Sequence, residues 1–187
     1  PEVQLIKDNL QRFVREGGSM YVSDLAADFI TQLWPDHVQF LRSNPRPYEA
    51  DECCVCVDCE ESCNRPDPTP PSARCDEPNY LTEECRQPRT PSGRGELGVI
   101  QAEIISPFLQ QFVATDRLPI EFNAGGWVQI QSVSEDVEVL VQGADGPLMV
   151  LFKPYERGGQ VAYTSFHNHG QVEESILQIL RALIFRL

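Results

Sequence analysis

Cys53, Cys54, Cys56, Cys59, Cys63, Cys75 and Cys85 are the first residues in this chain whose type and spacing could do chemistry. Cys53, Cys56, Cys59 and Cys63 follow C-x2-C-x2-C-x3-C, the run that ligates iron–sulfur clusters in bacterial ferredoxins. In two-cluster ferredoxins the fourth cysteine serves the other cluster. No second run is present here, so Cys63, Cys75 or Cys85 would have to close the site. Glu49, Asp51, Glu52, Asp58, Glu60 and Glu61 surround the run with acids and no base. Thiolate-bound clusters are already anionic, so this charge raises the cost of assembling and reducing one. A tetrathiolate zinc site meets the same objection less severely, because the divalent ion offsets part of the charge. The third chemistry is disulfide formation, open to all seven sulfurs and implying an oxidising compartment. An odd count leaves one thiol for another chain or another part of the protein. Cys53 and Cys54 are too close to bond each other without strain. The nearby acids lack the D-x-[DN]-x-[DN]-G order of a calcium loop, so they read as solvated charge.

These cysteines sit in a distinct compositional unit. Residues 44–95 hold all of them and nine of the fifteen prolines. Proline fixes φ and removes a donor, and aliphatic periodicity is almost absent, so the segment is expected as an irregular insertion. It cannot bury enough apolar area to order itself. Cross-links stabilising by roughly 2–4 kcal/mol each would supply the missing restraint.

The rest of the chain must position whatever site exists. It alternates helix and strand signals, the pattern of an α/β domain. Val3, Leu5, Ile6, Leu10, Phe13 and Val14 predict a helix over 2–15, stopped by Gly17-Gly18. A strand over 19–23 follows. Asp24 is placed to cap the next helix, whose inner face carries Leu25, Phe29, Ile30 and Leu33. A short strand is expected at 37–41, a strand or helix entry at 98–105, and a helix at 106–114 with Ser106 as cap and Pro107 in its first turn. Strand candidates then crowd at 127–133, 137–143, 147–154 and 160–166. The third is apolar enough to be buried on both sides. Trp127 reads as a residue covering the core edge. The last helix, 172–187, carries Ile176, Leu177, Leu180, Leu183 and Ile184 as one stripe.

Two stretches, VREGGSMYVSDLAADFI (14–30) and GGQVAYTSFHNHGQVEESILQIL (158–180), resemble the class I glutamine amidotransferase-like superfamily, especially its trehalose-utilisation-type, non-glutaminase branch. GVIQAEIISPFLQQF and PLMVLF agree more weakly. The resemblance implies a flavodoxin-like three-layer sandwich, here lacking the family's first strand and helix. It implies a nucleophile elbow at Ser23 and Asp24 and a late histidine at His167. Where the family has an orienting acid, two residues beyond that histidine, this chain has His169. A glutaminase needs a thiolate at the elbow to attack the amide while a histidine moves the proton. The elbow has no cysteine, so glutaminase activity is not expected. Ser23, Asp24, His167 and His169 stand as a candidate remnant. Either Ser23 and His167 form a hydrolase pair, or Ser23 and Asp24 cap a helix while His167 is an ordinary polar residue.

Charge narrows the partners. The 187 residues carry 15 Lys+Arg against 28 Asp+Glu, for a net charge of −13. Such a surface repels nucleic-acid phosphates and anionic lipid, and no run approaches the length needed to span a bilayer. The expectation is an extracytoplasmic (secreted, cell-surface or periplasmic), non-catalytic binding or assembly module. It would meet a protein partner or other subunits of a surface assembly, carry no cofactor, and leave room for a small ligand at the strand ends. The rival expectations are the Ser23/His167 hydrolase and a zinc or iron–sulfur module built on the cysteines.

Overall fold

The computed structural model describes residues 2–41, 95–123, 125–167, 171 and 173–187. All seven cysteines, the insertion up to residue 94, and His169 lie outside the described residues.

The first helix, α1 (Glu2–Arg15), stops as its two glycines predict. Gly17 takes φ +103°, a value costly for any residue with a Cβ. The N–H groups of Gly17 and Gly18 return to the carbonyls of Val14 and Phe13. Then come β1 (Met20–Ser23), a 3-10 turn over Asp24–Ala26, α2 (Ala27–Leu33) and β2 (Val38–Phe40). Beyond the undescribed segment lie β3 (Gly98–Ile104), β4 (Arg117–Phe122), β5 (Ile130–Val133), β6 (Glu138–Gly143), β7 (Gly146–Phe152) and β8 (Val161–Thr164). The last element is α3 (Glu174–Arg186).

Six strands form one mixed sheet in the order β1-β8-β7-β6-β3-β4. β1 and β8 are parallel, with Met20 opposite Val161 and Ser23 opposite Thr164, and the other neighbours are antiparallel. β2 and β5 make a separate antiparallel ribbon. The architecture is α/β, with helices on both faces of the sheet. β7 shows why: Met149 and Leu151 join an apolar cluster with Ile176, Ile179, Leu180 and Leu183 of α3. Val150 and Phe152 point the other way, into a cluster with Val14 of α1 and Ala27, Ile30 and Leu33 of α2. Alternate side chains of a strand face opposite ways, so a strand apolar throughout needs cover on both sides.

Several expectations are corrected. The helix foreseen at 106–114 shrinks to a single 3-10 turn, Leu109–Gln111. The Ser106 hydroxyl, foreseen as its cap, donates instead to Glu138 Oε1 at 3.0 Å, and the Gln110 amide donates to the Ile104 carbonyl at 2.8 Å. These groups serve the sheet, leaving the turn without a cap. β4 was not expected, because Pro119 interrupts its apolar pattern. It lies at the sheet edge, where a missing N–H is tolerated. Leu118, Ile120 and Phe122 are buried while Arg117 and Glu121 are exposed, a period-2 pattern. The 3-10 turn shifts the phase of α2, so Leu25 and Phe29 are exposed and only Ile30 and Leu33 of the foreseen face are buried. On α3 the buried stripe is Ile176, Ile179, Leu180 and Leu183, and Ile184 is exposed. On α1 only Val14 is fully buried, while Val3, Leu5, Ile6 and Phe13 face solvent.

Candidate functional site

The carboxyl ends of the parallel pair β1 and β8 carry the residues singled out by the sequence. Ser23 finishes β1 in extended conformation, φ −137° and ψ 148°, and makes no capping hydrogen bond. The turn itself is taken by Asp24, at φ +47°, the only described residue other than glycine with positive φ. Left-handed backbone is strained for a residue with a Cβ, although Asp tolerates it better than most. It persists where surrounding contacts over-determine it. Here the Asp24 carbonyl accepts hydrogen bonds from the Ala27 N–H and from the Tyr163 hydroxyl, the latter at 3.1 Å. Tyr163 is fully buried, which pushes its hydroxyl far above its ordinary pKa and keeps it a donor.

The Asp24 side chain caps nothing, contrary to one of the two expectations. It is 5% exposed, and its Oδ2 lies 2.9 Å from Nε2 of His167, which follows β8. Asp24 Oδ1 is buried without a hydrogen-bond partner, and Ser165 Oγ, beside the Tyr163 hydroxyl, makes no hydrogen bond of normal length. Buried acceptors are nearly always paired, so two such atoms among neighbouring residues call for a physical account. His167 itself is 42% exposed on its side chain.

Asp24 and Ser165 line one cleft of about 80 Å³. Its other walls are Leu25, Phe166 and His167 on the β1/β8 side, with Glu121, Phe122, Asn123 and Trp127 opposite. β1 and β4 are opposite edges of the sheet, so the sheet curls to bring their ends to one opening. Gln171 holds that closure. Its amide accepts from the Glu121 N–H at 3.0 Å and donates to the Glu121 carbonyl at 2.8 Å and the His167 carbonyl at 3.1 Å. It therefore acts as a one-residue strand partner for β4. Trp127 is a buried core-edge residue, as expected. It stacks on Phe122 with ring centroids 4.0 Å apart and donates from Nε1 to the Glu96 carbonyl.

The structure thus gathers Ser23, Asp24 and His167 at one end of the sheet, with the carboxylate at the turn and paired to the imidazole. His169 and the cysteines lie outside the described residues. Among the described residues no group of three or more His, Cys, Asp and Glu could hold a metal ion, and no helix is long and apolar enough to cross a membrane. Sequence reasoning missed Gln171, Tyr163 and the β4 wall. The alternation of 117–122 was the available signal for β4, whereas the roles of Gln171 and Tyr163 depend on contacts distant in sequence.

No protein-family model and no curated protein matches the chain. One solved structure found to be similar is a glutamine amidotransferase from Thermotoga maritima, 15% identical, with a TM-score of 0.30 over 51% of this chain. The match spans 39% of that structure's length, and the two superpose too loosely to say anything about chemistry.

Proposed function

We propose that this chain is a non-catalytic binding module on a degenerate, flavodoxin-like amidotransferase scaffold, working outside the cytoplasm with a disulfide-stapled acidic loop. The observation that carries the reading is the Asp24–His167 pair at 2.9 Å. The hydrolase reading needs His167 to serve Ser23 as its base, and the side chain that Nε2 meets is instead the Asp24 carboxylate. The scaffold part of the reading is supported by helices on both faces of the sheet and by a sharp turn and a histidine at the ends of two parallel strands. The antiparallel neighbours beyond β8 weigh against a fully parallel sheet. The loop and the location are supported by cysteine count and composition alone.

The test has two arms. Purified protein incubated with glutamine and with short p-nitrophenyl esters is expected to give no turnover, and Ser23→Ala is expected to change nothing. Turnover abolished by Ser23→Ala would establish the hydrolase instead. Mass measurement with and without reductant is expected to show linked cysteines. Seven free thiols in protein secreted by its native host would remove the loop and location from the proposal, while bound zinc or iron would establish the metal-binding module.

A further inference from the structure

The two orphaned polar atoms at the cleft are the least explained feature of the molecule. Asp24 Oδ1 and Ser165 Oγ have almost no accessible surface and no hydrogen bond of normal length, although each residue lines the cleft. Both residues are more than nine-tenths buried. A buried carboxylate with one satisfied oxygen is an unpaid acceptor. A ligand that brings a donor to Oδ1 removes that penalty, and the Ser165 hydroxyl can rotate to accept from the same group. The lining decides the sign of the donor. Among the described residues it includes the acids Asp24 and Glu121 and no Lys or Arg, with His167 as the one base.

From the paired orphans and this lining, we infer that the cleft binds the ammonium head of a small organic amine, with Asp24 Oδ1 and Ser165 Oγ as its acceptors. This deepens the binding reading above and rests on it. Leu25, exposed at the rim, is the side chain placed to yield as the head group reaches Oδ1.

Propylammonium, propionamide and propionate, equal in length and differing in charge, are titrated into the full chain while the His167 ring resonances are followed by NMR. Propylammonium is expected to shift them at least tenfold more tightly than propionamide, with propionate inert. Asp24→Asn and Ser165→Ala, checked for unchanged thermal unfolding, are each expected to weaken propylammonium at least tenfold. If Asp24→Asn does not fold, Ser165→Ala decides. Equal or tighter binding of propionamide or propionate would overturn the inference and leave the binding reading standing. No response to propylammonium, or a response that Ser165→Ala leaves unchanged, would overturn it as well. Hydrolysis of propionamide to propionate would instead overturn the non-catalytic reading.

Discussion

The two ends of the β1/β8 pair are built in opposite ways. At the amino ends a set of hydrogen bonds ties the strands to the C-terminal helix. Met20 N–H donates to the Gln160 carbonyl, the Ser19 hydroxyl donates to the Leu187 carbonyl and accepts from Gln160 N–H, and the Gln160 amide donates to the Arg186 carbonyl. Gly159 packs against Gly18 so closely that a Cβ there would sit 2.1 Å from its carbonyl oxygen. At the carboxyl ends the backbone of Asp24 is strained, two buried polar atoms make no hydrogen bond of normal length, and a cleft opens. One end closes the fold and the other stores free energy that binding could recover. Strain and unmet hydrogen bonds cluster where structure has been spent on function.

Mutations should separate the ends by sign. Gly159→Ala, at the closed end, forces backbone against backbone and should cost about 3 kcal/mol or prevent folding, read by denaturant unfolding. Gln171→Ala removes both hydrogen bonds to the Glu121 backbone and should cost about 2 kcal/mol while loosening the cleft. Hydrogen exchange of the β4 amides would show the loosening. Asp24→Gly should go the other way, raising stability by about 1 kcal/mol, because it relieves the left-handed backbone and deletes the orphaned oxygen. It strands little, since the His167 side chain keeps 42% of its surface in water. A loss of stability in Asp24→Gly would erase the contrast between the ends.

Much of the fold was legible because it depends on short-range pattern. The Gly17-Gly18 stop, the strand ending at Ser23 and the two-faced apolar run of β7 each declare themselves within a few residues. Helix faces were less legible, because a single 3-10 turn before α2 rotates Leu25 and Phe29 out of the core. At the site, the resemblance singled out Ser23, Asp24 and His167, but the pairing expected was Ser23 with His167, and it is Asp24 that meets the histidine. Which of Ser23 and Asp24 takes the turn is decided by the Tyr163 hydroxyl, 139 residues away, gripping the Asp24 carbonyl. Gln171 carries no local signature, since any buried glutamine could serve as well in sequence terms.

The smallest expected effect concerns how the closed end is fastened. Arg186 gives its carbonyl to Gln160, and its guanidinium grips Glu138 on β6 with contacts of 3.0 and 2.6 Å. The arginine holds the Glu138 carboxyl below its ordinary value of 4.5, with Ser106 helping and burial opposing. A carboxyl whose pKa is lower folded than unfolded binds fewer protons in the native state, so it stabilises the fold above that ordinary value and less as pH falls through the folded one. The pair is partly exposed, and solvent screening should hold its worth to about 0.5 kcal/mol. Glu138→Gln should therefore cost that amount at neutral pH and progressively less in acid, read as the gap between two unfolding curves. Salt should shrink the gap as well. A gap that persists unchanged into strong acid would mean that Glu138 holds the C-terminal helix by shape rather than by charge, and that the closed end owes nothing to ion pairing.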